Sequence, residues 1–128
     1  MFKKLTVDAI LPQAQTSDSA GYDVYANEDI TINTGETVLV PLGIALDIKN
    51  IEHFAKEGYF LGLYLRSSYG AKGLIIPHGV GVIDIGYKEE IKQIIHNPIN
   101  QFEIARKIIN TSKSFEDEKY IESDKTFY

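Results

Sequence analysis

The stretch from Tyr64 to Lys92, YLRSSYGAKGLIIPHGVGVIDIGYKEEIK, constrains the fold of this chain more than any other. It places five glycines and one proline among 29 residues, yet keeps blocks of strand-forming residues between them. It therefore reads as short strands joined by tight turns. Within it, Gly81-Val82-Ile83-Asp84-Ile85-Gly86 holds one carboxylate in an otherwise apolar run. A carboxylate between β-branched residues and flanking glycines is poorly placed for packing and well placed to meet a ligand at a sheet rim. Just upstream, Arg66-Ser67-Ser68 offers a fixed positive fork and two hydroxyls, which is anion-binding chemistry. One short segment thus supplies a candidate base, an anion clamp and glycines that let a ligand approach backbone.

Composition narrows the class. A chain of 128 residues is one domain with a modest core. It has no cysteine, which excludes disulfides and thiolate zinc sites. His53, His78 and His96 show no metal-ligand spacing. No apolar run approaches the ~20 residues of a membrane span, and the N-terminus has no signal-peptide core. The expected place is the cytoplasm, or the host-cell cytoplasm for a viral chain. A net charge of −5 argues against nucleic acid as the main partner.

The pattern along the chain is mostly β. Strands are expected at Lys4–Ala9, Tyr22–Ala26, Ile30–Ile32, Thr37–Val40, Gly43–Ile48, Tyr59–Leu65 and Glu90–Ile95. Asn33-Thr34-Gly35-Glu36 reads as a turn, with Gly35 free to take positive φ. Ile51 to Gly58 reads as a loop or a single helical turn. Short strands at regular spacing predict a sandwich or barrel.

Three segments together resemble a known family. Ala20-Gly21-Tyr22-Asp23-Val24-Tyr25-Ala26, Arg66-Ser67-Ser68-Tyr69-Gly70-Ala71-Lys72, and Gly81-Val82-Ile83-Asp84-Ile85-Gly86-Tyr87 with Glu90 are similar to the first three motifs of the trimeric dUTP diphosphatases (dUTPases). Their order and spacing match, as does Pro41-Leu42-Gly43-Ile44-Ala45-Leu46 between the first two. Motifs in the right order are specific where any one alone is weak. The resemblance covers residues 1–110, taken as the domain, with 111–128 as an atypical acidic tail.

The resemblance implies an all-β distorted barrel or jelly roll, a short helix near Ala71–Gly73, and a homotrimer with shared active sites. Leu74-Ile75-Ile76 and Ile94-Ile95 are candidates for core or intersubunit surface. It implies hydrolysis of dUTP to dUMP and pyrophosphate, with Asp84 holding and deprotonating the attacking water. An acidic chain repels a triphosphate, and Mg²⁺ is the simplest remedy. Asp23 is expected to reach that ion through water. Arg66, Ser67 and Ser68 are assigned to the phosphates. His78, Gly79, Val82, Ile83 and Lys92 belong to the hairpin whose backbone pairs with the uracil edge. Tyr87 packs on the deoxyribose and excludes a 2′-hydroxyl.

The chain also departs from the family. Arg106 stands where a glutamine of the fourth motif is expected, and no glycine follows Gly86. The glycine-rich C-terminal motif is replaced by a segment, Phe115 to Tyr128, with five acids and two lysines. This tail is expected to be mobile, with Phe127 or Tyr128 as stand-ins for the family's stacking ring. Two alternatives stay open: a dUTPase-fold nucleotide-binding or regulatory protein with little or no turnover, and a dCTP deaminase. The deaminase needs a glutamate near Gln93-Ile94-Ile95, where this chain has none.

Overall fold

The computed structural model describes residues 1–99 and, by backbone alone, residues 118–121 and 126–127. Its strands run β1 (Phe2–Lys4), β2 (Val24–Tyr25), β3 (Ile30–Asn33), β4 (Thr37–Pro41), β5 (Ile44–Leu46), β6 (Phe60–Leu63), β7 (Gly81–Asp84), β8 (Lys92–His96), β9 (Glu118–Ile121) and β10 (Thr126–Phe127). Helix α1 spans Ile48–Lys56 and α2 spans Ser67–Ala71. All strand pairs are antiparallel: β1–β5, β2–β10, β3–β9, β4–β8 and β6–β7. Most partners lie far apart in sequence, so the chain crosses back and forth over one core, as an all-β jelly roll requires.

The core follows from side-chain alternation. In β3, Ile32 is buried between exposed Thr31 and Asn33; in β8, Gln93 and Ile95 point inward while Lys92 is exposed. Val40, Leu42, Ile44, Leu46 and Leu74 complete the interior, each close to fully buried. Burying such a side chain is worth about 1.5–3 kcal/mol. Gly35 takes φ +84 in its turn, where the Glu36 carboxylate accepts from the Asn33 N–H at 2.9 Å.

Four expectations change. Residues 48–56 form a nine-residue helix, because Ile48, Ile51 and Phe54 share one face against the core. The first strand ends at Lys4; of the alternating apolar residues Leu5 and Val7 are exposed while Ala9 is buried in the core, so residues 4–9 do not present one face as a strand. Of Leu74-Ile75-Ile76, Leu74 is core while Ile75 is exposed. The tail is not simply loose backbone: β9 pairs with β3 (Ile30↔Ile121 to Asn33↔Glu118), and β10 with β2 (Tyr25↔Thr126, Val24↔Phe127). The eroded fourth motif around Arg106 and the side chains of Phe127 and Tyr128 lie outside the described residues. No helix among the described residues is long and apolar enough to cross a membrane.

Candidate functional site

The hairpin from β7 to β8 is splayed. β7 pairs with β6, and β8 pairs with β4, but β7 and β8 share no ladder among the described residues. Their facing edges leave backbone donors and acceptors free to meet a ligand. Between them lies a cavity of about 870 Å³. Asp84, Tyr87, His78, Val82, Ile83 and Lys92 all line it. Gly79 takes φ +86 in the loop that leads in, with open space where a Cβ would stand, so conformation rather than crowding demands glycine there. At Gly81 a Cβ would press on Leu63 Cβ at 3.2 Å.

Alternation places the groups. Gly81 and Ile83 are half-buried while Val82 and Asp84 are exposed, so the carboxylate stands outside the core at the end of β7. Tyr87, in the turn that follows, is 43% exposed; its hydroxyl donates to the Glu90 carbonyl at 3.4 Å.

Asp23 and Arg66 meet elsewhere. Asp23 is 1% exposed, its backbone bridged in both directions to Gln13 at 2.8 and 3.0 Å. Its Oδ2 lies 3.5 Å from Arg66 Nη1 and accepts no hydrogen bond. The two facts agree: this is an ion pair at a separation beyond good hydrogen-bond geometry. Both residues line a second cavity of about 710 Å³, walled also by Tyr22, Tyr64 and Ile83. In the loop before Asp23, Asp18 is held below the usual carboxylate range by the Thr16 hydroxyl and then by its own backbone N–H. Ser67 and Ser68 open α2, exposed, and line neither cavity.

The expected site residues therefore form two groups in one chain. Asp84 stands opposite Phe60, and Gly81 opposite Leu63. Arg66 follows Leu63, beyond the other end of β6. The carboxylate and the anion clamp thus occupy opposite ends of the β6–β7 ladder.

Among the described residues, no three His, Asp or Glu side chains gather as a metal cage. The buried Asp23 Oδ2, with unused acceptor capacity, suits a metal-bound water rather than a direct metal bond.

Sequence reasoning named two groups here without giving them a role in the site. Glu90 reaches across to the Gly43 amide at 3.0 Å. Gln93, buried beside the first cavity, keeps Oε1 without a partner while its Nε2 donates to the Ile94 carbonyl. A polar residue inside the run Ile91 to Ile95 was the only available signal for the latter.

The comparisons with known proteins agree with this geometry. The family model described as dUTPase matches residues 7–108. The deoxyuridine 5'-triphosphate nucleotidohydrolase of Nautilia profundicola is 35% identical over 106 residues, covering 81% of this chain and 70% of that protein. A solved dUTPase from Streptococcus mutans is 26% identical with a TM-score of 0.67, covering 98% of this chain and 88% of that one. A dUTPase from phage phi11 of S. aureus, solved to show coordination of a structural Mg(II) ion, is 22% identical with a TM-score of 0.60, covering 78% and 60%. Curated relatives are longer: the chain spans between 60% and 70% of the length of those it matches. With three motifs placed on one jelly roll and a family match over most of its length, the chain belongs to the dUTPase family.

Proposed function

We propose that this chain hydrolyses dUTP to dUMP and pyrophosphate. The observation that carries the reading is the splayed hairpin: two unpaired strand edges face a cavity with Asp84 and Tyr87 at its margin. Uracil presents a donor at N3–H between two carbonyl acceptors. Backbone N–H and C=O groups on the facing edges can match that order. Cytosine reverses it at N3 and the 4-amino group and leaves backbone groups unpaired, a mismatch that costs far more than a lost methyl. Tyr87 packs on the sugar, where a 2′-hydroxyl would collide with the ring.

At the α-phosphate, the Asp84 carboxylate accepts a proton from water as the water oxygen bonds to phosphorus. The bond to the bridging oxygen breaks, and pyrophosphate leaves with that electron pair. Arg66, Ser67 and Ser68 contact phosphate oxygens. Asp23 would hold a water of the Mg²⁺ that accompanies the triphosphate; the ion supplies charge neutralisation. Because Asp84 and Arg66 lie at opposite ends of one ladder, a complete site takes them from different copies, and a homotrimer meets that need. A cytoplasmic location accords with this role. That relatives are named as hydrolases supports turnover over a binding-only reading.

The test is pyrophosphate release with Mg²⁺ from dUTP, dCTP, dTTP and UTP in parallel. Release from dUTP alone is expected. Equal release from UTP, or none from dUTP, would sink the reading.

A further inference from the structure

Tyr87 lies on an arc, residues 85–90, that the splay of the hairpin deprives of ladder bonds. Two contacts hold this arc among the described residues besides its ends. One is the Tyr87 amide donating to the Asp84 carbonyl at 3.0 Å. The other is the Glu90 carboxylate, half-buried, which accepts from the Gly43 N–H at 3.0 Å. The Glu90 carbonyl in turn receives the Tyr87 hydroxyl. Glu90 therefore links the aromatic ring to the core through its own side chain.

The anchor at the far end is rigid. Gly43 takes φ +66, and a Cβ there would lie 2.6 Å from Asn27 Cγ and 2.9 Å from Ala9 Cβ. Its carbonyl accepts from the Leu5 N–H at 2.8 Å. Only glycine fits this site, and its amide is fixed in space. A carboxylate hydrogen-bonded to a fixed amide transmits that position to the residues beside it.

We propose that Glu90 is the positioning residue that sets where Tyr87 stands over the sugar, and so sets the preference for 2′-deoxyribose over ribose. The inference rests on the nucleotide reading above. A slot that excludes one oxygen atom is lost when its wall recedes by about an ångström. Without the carboxylate, the arc keeps its ends and the Tyr87 amide bond to Asp84 but loses its tie to Gly43, and the segment from Tyr87 to Glu90 that carries the ring can recede.

The experiment compares dUDP and UDP binding by calorimetry in wild type, Glu90→Ala, Glu90→Asp and Glu90→Gln, with Tm recorded for each. In wild type, dUDP should bind more tightly than UDP. Glu90→Ala should shrink that ratio by at least about tenfold. Glu90→Asp, one methylene too short to reach Gly43, should do the same, and it reads the effect if the alanine variant does not fold. Glu90→Gln keeps an acceptor oxygen at the same reach and should retain the ratio. A purely structural role would lower Tm in Glu90→Ala and Glu90→Asp and leave the ratio unchanged, which overturns the proposal alone. Failure of wild type to bind dUDP overturns the functional reading and this inference with it.

Discussion

Asp23 Oδ2 stands 3.5 Å from Arg66 Nη1, and the carboxylate is almost wholly buried while the guanidinium side chain is 36% exposed. The pair joins the first motif to the second across 43 positions of sequence. Its asymmetry decides what each substitution does. Removing Arg66 leaves a buried charge with one contact fewer; removing Asp23 leaves a guanidinium that water can still reach.

Arg66→Ala should therefore cost stability as well as activity. Breaking a fully buried pair costs about 3–5 kcal/mol. The exposure of Arg66 lowers the expectation to about 2 kcal/mol, or roughly 5–10 °C in Tm. Asp23→Asn should cost less stability and should raise the Mg²⁺ concentration needed for half-maximal activity. Thermal melts and Mg²⁺ titrations of the two variants check this; an Asp23→Asn protein with an unchanged Mg²⁺ profile removes Asp23 from the metal's surroundings.

Asp84→Asn should keep the fold and nucleotide affinity and lose turnover. Asparagine is nearly isosteric but takes no proton from water. The expected loss is about 10²- to 10⁴-fold in kcat. Asp84 is exposed at the end of β7, so Tm should not move by more than a degree or two. A variant with wild-type kcat would make Asp84 structural.

How far the sequence showed this in advance depends on whether a pattern is local. The single carboxylate in the apolar run Gly81 to Gly86 predicts a group kept out of the core at a sheet rim, and Asp84 is exposed at the end of β7. Gly35 in its turn was equally legible. Helix α1 was not, because its apolar face is only three residues, Ile48, Ile51 and Phe54, set among polar ones, and only Ile51 is fully buried. The residues 4–9 misled in the opposite sense: they alternate, yet Leu5 and Val7 face solvent. The splay of β7 from β8, the Asp23–Arg66 pair and the reach of Glu90 to Gly43 are long-range, and no local periodicity encodes them. The three-motif resemblance supplied the candidate site residues and implied sites shared between copies, but not which residues of one chain fall on which side of the β6–β7 ladder.

The tail prediction changes with the structure. Residues 118–121 and 126–127 add strands to β3 and β2, next to Asp23. Deleting residues 116–128 should uncover both edges. Amides of Val24, Tyr25 and Ile30 to Asn33 that point toward the tail should then exchange hydrogen faster, and Tm should fall. Hydrogen exchange of the full and shortened chains decides it. Unchanged protection on β2 and β3 would return the tail to the mobile segment first expected.

The proposed sharing of sites makes the sharpest demand on assembly. Asp84 pairs opposite Phe60 at one end of the β6–β7 ladder and Ser67 follows the other end, so the proposed mechanism takes the two groups from different copies. Phe60, Val82 and Leu39 are each more than half exposed, an apolar surface that a second copy can cover. Light scattering should give three times the 14.4 kDa chain mass. Mass alone does not show sharing, so the decisive measurement is complementation. Asp84→Asn and Ser67→Ala chains, each weak alone, are unfolded, mixed in equal amounts and refolded. If each site draws Asp84 from one chain and Ser67 from its neighbour in a closed ring, about a quarter of sites in random trimers regain both groups. Activity near that fraction of wild type is expected. A mixture no better than the mean of its two components would mean that each chain builds its site alone, and the separation along the ladder would then need a different explanation.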